Sequence, residues 1–334
     1  MKLLFVICTL GASVSAALVD IESDLNIKSD LVDLLDIASD LLVPSVVQEE
    51  RTLTSPVLCV HQIWVTGEPP PIKEMFAASV RSLAAAFPTP WCYRRWSFDD
   101  VNPRSFPETH AVLTALYEFV QDKTFPLVDG KRIDLKRASL SAIGDVMKAE
   151  ILAIHGGAYF DINFQILRPS AIVKVVLADL AAGRVTLANE RDGWHMSCGF
   201  IAGPPHHLVL KAYATQAAKH VIRNFAEGLP ANVASGPHLF GKAIRVALGT
   251  SDKVDFQTNE RAKLLIHVLH AYQMYPYYPW PRSISAGDVR RTYPHGDACV
   301  VCKQGNCRMI TMEECSKVYP ESMAVDHFSQ GHTW

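Results

Sequence analysis

The chain has 334 residues, of which 49% are apolar and 20% charged, a composition typical of a globular protein with enough apolar mass for a large core. This excludes a disordered or collagen-like chain, and 32 basic against 34 acidic residues give no sign of a nucleic-acid partner. Residues 1–50 hold nine acids and two bases, which leaves 30 bases and 25 acids in residues 51–334. A mildly basic body suits an anionic ligand, although charge alone does not identify one.

The first residues are typical of a secretory signal peptide. Lys2 precedes an apolar run over residues 3–10, and small residues follow, with Val14-Ser15-Ala16 at the cleavage positions. We predict a signal peptide over residues 1–16 and a protein of the secretory pathway, either secreted or in the lumen of the Golgi or endoplasmic reticulum. An uncleaved signal anchor is the alternative, and no later stretch predicts a stable membrane span.

Residues 17–55 form an acidic stretch in which Ser-Asp-Leu occurs at 23–25, 29–31 and 39–41. The leucines between these repeats favour one or two acidic amphipathic helices. We predict a stem or pro-segment without chemistry of its own, followed by one domain over residues 56–334.

From residue 57 onward, predicted strands and helices alternate. Periodicity predicts strands at 57–65, 91–96, 158–167, 184–189 and 199–203, and helices at 73–87, 109–121, 138–155, 206–227 and 235–247. A strand, a helix and a strand at this spacing indicate a βαβ unit. We therefore predict an α/β fold with a Rossmann-like, mostly parallel sheet flanked by helices, and an irregular, cysteine-containing C-terminal segment at 275–281 and 299–315.

Seven cysteines lie outside the predicted signal peptide, and an oxidising compartment would pair most of them. Four of them form the pattern Cys299-x2-Cys302-x4-Cys307-x7-Cys315. This spacing allows either one zinc ion bound by four thiolates or two local disulfides. The predicted signal peptide favours the disulfides.

Polar side chains come together where the helix at 138–155 leads into the next strand. Asp145 and Lys148 are three residues apart and share a helix face. Gly156-Gly157 then turns the chain into a strand on which Asp161 and Asn163 point the same way. The carboxyl end of such a strand is where ligands of α/β proteins usually bind. These two oxygen side chains would hold a divalent cation and a diphosphate, or else make only local hydrogen bonds.

A wider set of motifs contains these residues. His61-Gln62-Ile63-Trp64 is followed by Asp145-x2-Lys148-x3-Leu152-x3-Gly156-Gly157-x-Tyr159-x-Asp161-x-Asn163, then by the blocks 197–207, 235–237 and 319–320, and by an ending with His327 and Gly331-His332-Thr333-Trp334. In this order, over about residues 60–334, the blocks resemble the DxD-motif, sugar-binding-region glycosyltransferases of glycosyltransferase family 32. That family includes initiating α-1,6-mannosyltransferases and α-1,4-galactosyltransferases.

The resemblance implies a GT-A-type fold and an enzyme that transfers a hexose, with retention, from a UDP- or GDP-linked sugar. The acceptor would be a hydroxyl of a glycan, glycolipid or protein, and the cofactor Mn²⁺ or Mg²⁺. The resemblance also implies site residues: catalytic Asp145, Lys148 and Asp161; nucleotide-sugar-binding His61, Gln62, Trp64, Asp145, Lys148, Gly157, Tyr159, Cys198 and Trp334; and metal-binding Asp161, Asn163, His327 and Thr333.

Three positions depart from the family pattern. Asn163 stands where the second aspartate is usual, and Lys148 stands where an arginine is usual. Cys198 replaces an asparagine that contacts the donor sugar, and it is also a candidate disulfide half-cystine, with Cys59 as one partner. The alternative function is therefore a secreted, non-catalytic nucleotide- or sugar-binding protein, or an effector, on a lapsed glycosyltransferase fold.

Overall fold

The computed structural model describes residues 58–64, 74–121, 140–189, 196–227, 235–250, 254–256, 258–275, 298–303 and 306–326. These residues belong to one compact unit, residues 55–334. The predicted signal peptide and nearly all of residues 17–55 lie in the other unit and outside the described residues, so both stay predictions. No helix in the described ranges is both long and apolar enough to cross a membrane.

Ten strands and nine helices occur in the described part of the chain. The strands are β1 Cys59–Ile63, β2 Cys92–Trp96, β3 Gly157–Phe160, β4 Phe164–Ile166, β5 Val185–Asn189, β6 Met196–Gly203, β7 Ile266–Leu269, β8 Ala298–Lys303, β9 Asn306–Thr311 and β10 Ala324–Asp326. The α-helices are α1 Glu74–Ala86, α2 Pro107–Gln121, α3 Leu140–His155, α4 Pro169–Ala181, α5 Leu208–Glu227, α6 Pro237–Ala247, α7 Glu260–Leu265, α8 Ala271–Met274 and α9 Met312–Val318.

Six strands form the main sheet, in the order β2-β1-β3-β6-β5-β7. Strands β1, β2, β3, β5 and β7 run parallel, and β6 alone among these six is antiparallel to its neighbours. The first unit, β1-α1-β2, is the predicted βαβ unit. The predicted mostly parallel α/β sheet is therefore confirmed.

Helices cover both faces of this sheet, which gives two cores. One core packs α2, α3, α5 and α6 against the face that carries Tyr159 and Ile201. The other packs α1 and α4 against the face that carries Phe160 and Phe200. Successive residues of a strand point to opposite faces, so neighbouring residues of β3 and β6 enter different cores.

The strand predicted at 158–167 is in fact two strands with a turn between them. The N–H of Phe164 donates to the carbonyl of Asp161 at 3.1 Å, which closes a turn over residues 161–163. Strand β4 then leaves the main sheet and pairs with β10. The expectation that Asp161 and Asn163 stand side by side on one strand is therefore wrong, because the chain changes direction between them.

The C-terminal segment is more regular than expected. Strands β8 and β9 form an antiparallel hairpin. Helix α9 follows, and its N-cap residue Thr311 accepts the backbone N–H of Glu314 at 3.1 Å. Helix α4 was also missing from the predicted elements, because its sequence is apolar on several sides and shows no single stripe.

The cysteines bear on two questions that the sequence left open: the partner of Cys59, and zinc or disulfides at 299–315. Cys59 forms a disulfide with Cys92 across β1 and β2, so the suggested pairing of Cys59 with Cys198 is wrong. Cys198 is buried and its sulfur is not part of a disulfide. Cys315 is disulfide-bonded, which favours local disulfides over a four-thiolate zinc site at 299–315.

Candidate functional site

The candidate site lies at the carboxyl end of β3, where α3, β6 and the start of α6 meet it. Helix α3 reaches this place because its apolar residues, among them Ile143, Met147 and Leu152, are fully buried in the core. The glycines after it make the turn. Gly156 and Gly157 have φ values of +64° and +91°, and a Cβ on Gly157 would overlap the carbonyl oxygen of Cys59.

Lys148 is at the centre of the site. Its Nζ lies 2.9 Å from Asp145 Oδ1, 3.0 Å from Asp161 Oδ1 and 3.0 Å from the backbone oxygen of Cys198. Three acceptors match the three N–H groups of an ammonium. Burial lowers the pKa of Lys148, but Asp145 and Asp161 outweigh burial and hold the pKa well above its ordinary value. Lys148 is therefore charged at neutral pH.

Asp145 anchors Lys148 from the same helix. Its Oδ2 accepts the hydroxyl of Ser235 at 2.9 Å, while its Oδ1 accepts from Lys148. Burial raises the pKa of Asp145, and the Lys148 ammonium opposes that rise. Both oxygens of Asp145 thus have protein partners, so Asp145 acts in this arrangement by positioning Lys148.

Asp161 is the carboxylate of the site that solvent reaches, with 36% of its side chain exposed. Its Oδ1 accepts from Lys148 at 3.0 Å and from the hydroxyl of Tyr159 at 2.8 Å. Its Oδ2 accepts no hydrogen bond from the part of the chain that the structure describes. A Cβ added at Gly199 would lie 3.2 Å from this Oδ2, so the glycine leaves room for it. We call Asp145, Lys148, Tyr159, Asp161 and Ser235 the Lys148 cluster.

Tyr159 fixes Asp161 from β3. Burial raises the pKa of the Tyr159 hydroxyl well above its ordinary value, and the Asp161 carboxylate raises it further. The hydroxyl therefore stays protonated and donates to Asp161. The Lys148 ammonium also lies 4.9 Å from the centre of the Tyr159 ring, within the range of a cation–π contact.

Cys198 contributes its backbone to the site. Its carbonyl accepts from Lys148, whereas its buried sulfur lies 3.2 Å from the hydroxyl of Tyr213. That hydroxyl donates to the backbone oxygen of Ser235 at 2.6 Å. In this structure the Cys198 side chain therefore faces the protein, and its predicted contact with a donor sugar stays a prediction.

His61 and Gln62 hold the strand ends around the cluster. The Nε2–H of His61 donates to the backbone oxygen of Gly156 at 2.9 Å, and its Nδ1 accepts from Trp96 Nε1 at 3.0 Å. Burial lowers the pKa of His61 to about 4, so the ring is neutral at pH 7. Gln62 accepts the hydroxyl of Tyr93 at 2.7 Å and donates to the Asp161 carbonyl at 3.4 Å.

Trp64 is buried, whereas Asn163 is half-buried. Trp64 is 3% exposed. Stacking on a nucleotide base therefore requires that this ring be uncovered first. Asn163 lies in the turn after β3, with its Oδ1 buried. The predicted roles of His327, Thr333 and Trp334 concern residues outside the described ranges and stay predictions.

Sequence analysis missed three contributors to the site. Ser235 was part of a recognised block but had no role assigned, and Tyr213 carried no signal. Tyr275 also had none, although its hydroxyl contacts the Ser197 hydroxyl, which in turn accepts the Gly199 N–H at 3.0 Å. All three act over large separations in the chain, which spacing alone does not reveal.

The fold and the site define an α/β protein with a buried ammonium between two carboxylates at the carboxyl edge of its sheet. No protein-family model and no curated protein matches the chain. Among solved structures, the PaToxG glycosyltransferase is similar, with a TM-score of 0.37 and 14% identity over 62% of this chain and 83% of that one. A likeness of this strength carries no argument for the activity.

Proposed function

We propose that the chain is a glycosyltransferase that moves a hexose from a UDP- or GDP-linked sugar to an acceptor hydroxyl, with retention at the anomeric carbon. The ordered motif blocks and their resemblance to glycosyltransferase family 32 support this. The observation that carries the proposal is the Lys148 cluster. Asp145, Lys148, Tyr159 and Asp161 belong to one motif, and in the structure they form one hydrogen-bonded group at the edge of the sheet.

The chemistry assigns Asp161 the contact with the donor. In the reaction, the bond from the anomeric carbon to the diphosphate breaks, a bond to the acceptor oxygen forms, and the proton of the acceptor hydroxyl goes to the departing diphosphate. Asp161 Oδ2 accepts a hydroxyl of the donor sugar or ribose, while Lys148 and Tyr159 hold Oδ1 in place. Placing the donor in this way is how a rigid polar cluster accelerates transfer.

The described residues alone supply few ligands for the metal implied by the resemblance. Asp161 Oδ1 already accepts from an ammonium and a hydroxyl, which leaves Oδ2 as the one oxygen of that carboxylate for an ion. Within the described ranges, no group of three His, Cys, Asp or Glu side chains could hold a metal ion. Mn²⁺ and Mg²⁺ need several oxygen ligands around one point. The proposal therefore routes no step through a metal, and the roles of His327 and Thr333 stay predictions.

Secretory localisation and a glycan, glycolipid or protein acceptor complete the proposal. The Cys59–Cys92 disulfide supports an oxidising compartment, because such bonds are rare in the cytosol. A second candidate is a non-catalytic sugar- or nucleotide-binding protein. The observation that favours it is Lys148, whose three hydrogen bonds all go to protein acceptors.

Nucleotide binding and turnover by the full chain test the proposal. Thermal unfolding is followed with UDP, GDP, UDP-glucose, UDP-galactose and GDP-mannose, each with Mn²⁺ and with a chelator, and release of the diphosphate is measured in parallel. A ligand at a hundredfold over its Kd stabilises the folded chain by about 2.7 kcal/mol. We expect stabilisation and turnover with one nucleotide series. Binding without release of diphosphate would favour the second candidate, and no binding in any condition would refute the glycosyltransferase and a nucleotide-binding role alike.

A further inference from the structure

The Lys148 ammonium fills the space between the two carboxylates of the site. It lies 2.9 Å from Asp145 and 3.0 Å from Asp161, and only 6% of the side chain is exposed. Its third N–H goes to the Cys198 carbonyl at 3.0 Å. A compact ammonium satisfies three acceptors that converge on one point, which a planar guanidinium does not. The pocket is therefore built around a fixed monovalent cation.

A divalent cation on Asp161 would share that carboxylate with this ammonium. Ions of this kind bind carboxylate oxygens at about 2.0–2.6 Å. Lys148 and Tyr159 already hold Oδ1, so an ion would have to use Oδ2 of the same carboxylate. Two positive charges a few ångströms apart in a partly buried site repel each other strongly. Mn²⁺ or Mg²⁺ would therefore bind Asp161 more weakly beside the Lys148 ammonium than in its absence.

We infer that the Lys148 ammonium takes the place of a divalent cation at Asp161, so that this site holds its ligand without a metal ion. The inference rests on the proposed function and concerns the same site. In this inference the positive charge beside Asp161 comes from the Lys148 side chain. Asp161 is then a hydroxyl acceptor, with its Oδ2 open beside Gly199.

The charge of the cluster indicates which part of the ligand meets Asp161. One ammonium shared by two carboxylates leaves no spare positive charge for a phosphate. A neutral group rich in hydroxyls, the sugar or the ribose of the nucleotide-sugar, is therefore the part that contacts Oδ2. A diphosphate would have to be bound by other residues.

Electron paramagnetic resonance of Mn²⁺ tests the inference without any turnover, because free Mn²⁺ gives a strong signal that is lost on binding. The full chain is titrated with Mn²⁺, with and without UDP, and compared with the Asp161→Asn variant. We expect the two proteins to bind the same amount of Mn²⁺. Binding by the natural chain that Asp161→Asn abolishes would overturn the inference.

The variant Lys148→Met is the one expected to gain Mn²⁺ binding, since it keeps the apolar part of the side chain and removes the charge. Without the ammonium, Mn²⁺ should bind at Asp161 on the order of 100-fold more tightly. The double variant Lys148→Met with Asp161→Asn should lose this gain. Lys263→Met is the matched control, because Lys263 also pairs with an acid three residues away, Glu260 at 2.8 Å, but on an exposed surface.

The outcomes separate the two proposals. A folded Lys148→Met chain that gains no Mn²⁺ binding would overturn the inference, and Lys148→Gln repeats the test if the methionine variant does not fold. Nucleotide binding that requires Mn²⁺ and Asp161 would overturn the inference and leave the glycosyltransferase proposal standing. Absence of any nucleotide binding would refute the glycosyltransferase proposal, while the comparison with Asp161→Asn still decides whether a metal binds there.

Discussion

Two carboxylates of this protein, Asp161 and Asp179, are held by cationic side chains but are exposed very differently. Asp179 lies on α4 with 1% of its side chain exposed, whereas 36% of the Asp161 side chain is exposed. Asp179 Oδ1 accepts from Arg184 at 2.6 Å, and its Oδ2 accepts from Thr186 at 2.8 Å and His267 at 2.7 Å. We call these four residues the Asp179 cluster. Both oxygens of Asp179 are used by the protein, whereas Asp161 keeps one for a ligand.

The difference separates a structural carboxylate from a binding one. The Asp179 cluster joins α4 to β5 and β7 at the far edge of the sheet. Burial raises the pKa of Asp179, but the hydrogen bonds from His267, Thr186 and Arg184 outweigh burial and leave the pKa below its ordinary value. A carboxylate of this kind stabilises the fold, and one with an open oxygen can recognise a hydroxyl.

Asp161→Asn should have the largest effect of the variants considered, and this effect should be a loss of activity. The amide oxygen still accepts from Lys148 and Tyr159, but an N–H₂ group replaces the open oxygen and cannot accept a donor hydroxyl. We expect kcat/KM to fall on the order of 10²–10³-fold, while the free energy of unfolding changes by about 1 kcal/mol or less. Steady-state kinetics and urea unfolding measure the two quantities. Unchanged kcat/KM would remove Asp161 from the site.

Asp179→Asn should have the opposite profile. Losing the charge weakens the hydrogen bonds from Arg184 and His267, whose side chains are 34% and 41% exposed, so we expect the free energy of unfolding to fall by about 2 kcal/mol. The loss should shrink below about pH 4, because the natural carboxylate contributes its stability above its unfolded pKa and loses it as the pH falls through its lower folded pKa. Activity of the folded variant should be unchanged, and a large loss of kcat/KM would contradict the comparison.

His61 gives a second, separate pH window. Its pKa is about 4 in the folded chain against 6.5 ordinarily, so the neutral ring stabilises the fold above pH 6.5 and this stability is lost as the pH falls towards 4. Between pH 7 and pH 5 its share of the loss should be about 2 kcal/mol. Urea unfolding of the natural chain and of His61→Gln across this range isolates the share. Equal slopes for the two proteins would contradict the lowered pKa that burial gives the His61 ring.

Gly199→Ala tests the space around the open oxygen. The added Cβ would lie 3.2 Å from Asp161 Oδ2 and 3.0 Å from the Phe164 ring. We expect the crowding to cost about 1 kcal/mol of stability and, through the displaced carboxylate, about tenfold in kcat/KM. Gly203→Ala is the control on the same strand, because its Cβ meets only Val185 and Leu210 at 3.0 and 3.1 Å among side chains. Gly203→Ala should lower the free energy of unfolding by a similar amount and leave kcat/KM unchanged.

Local sequence patterns account for much of the fold. Helix α3 was predicted to within two residues at its start, because its apolar periodicity is strong and Gly156 ends it. The turn at residues 161–163 was not predicted, since β4 pairs with β10, in which Val325 lies opposite Gln165 although it is far along the chain. Tertiary contacts of this range override local pattern.

The candidate site was predictable only in part. The shared face of Asp145 and Lys148 follows from helical spacing. The structure shows in addition that the Lys148 ammonium contacts both Asp145 and Asp161. The carbonyl of Cys198 has no counterpart in a side-chain pattern. His61 was expected to bind the donor, yet it bonds to Trp96, 35 residues away, and to a turn 95 residues away. The identity of a side chain suggests a functional role, but its burial determines whether it bonds to a ligand or to the protein.

The smallest expected effect comes from an exposed copy of the central ion pair. Lys263 and Glu260 are three residues apart on α7, like Lys148 and Asp145 on α3, but 47% and 85% of their side chains are exposed. Solvent screens this pair, so Lys263→Met should change the free energy of unfolding by only about 0.3 kcal/mol, measured by urea unfolding at low and high salt. Lys148→Met removes the same charge at the same spacing, but it leaves the buried Asp145 carboxylate without its ammonium and facing Asp161, so its loss should be several times greater. Similar losses of unfolding free energy for the two variants would show that burial does not determine how much these ion pairs stabilise the fold. The comparison between the Lys148 cluster and the surface pair would then be wrong.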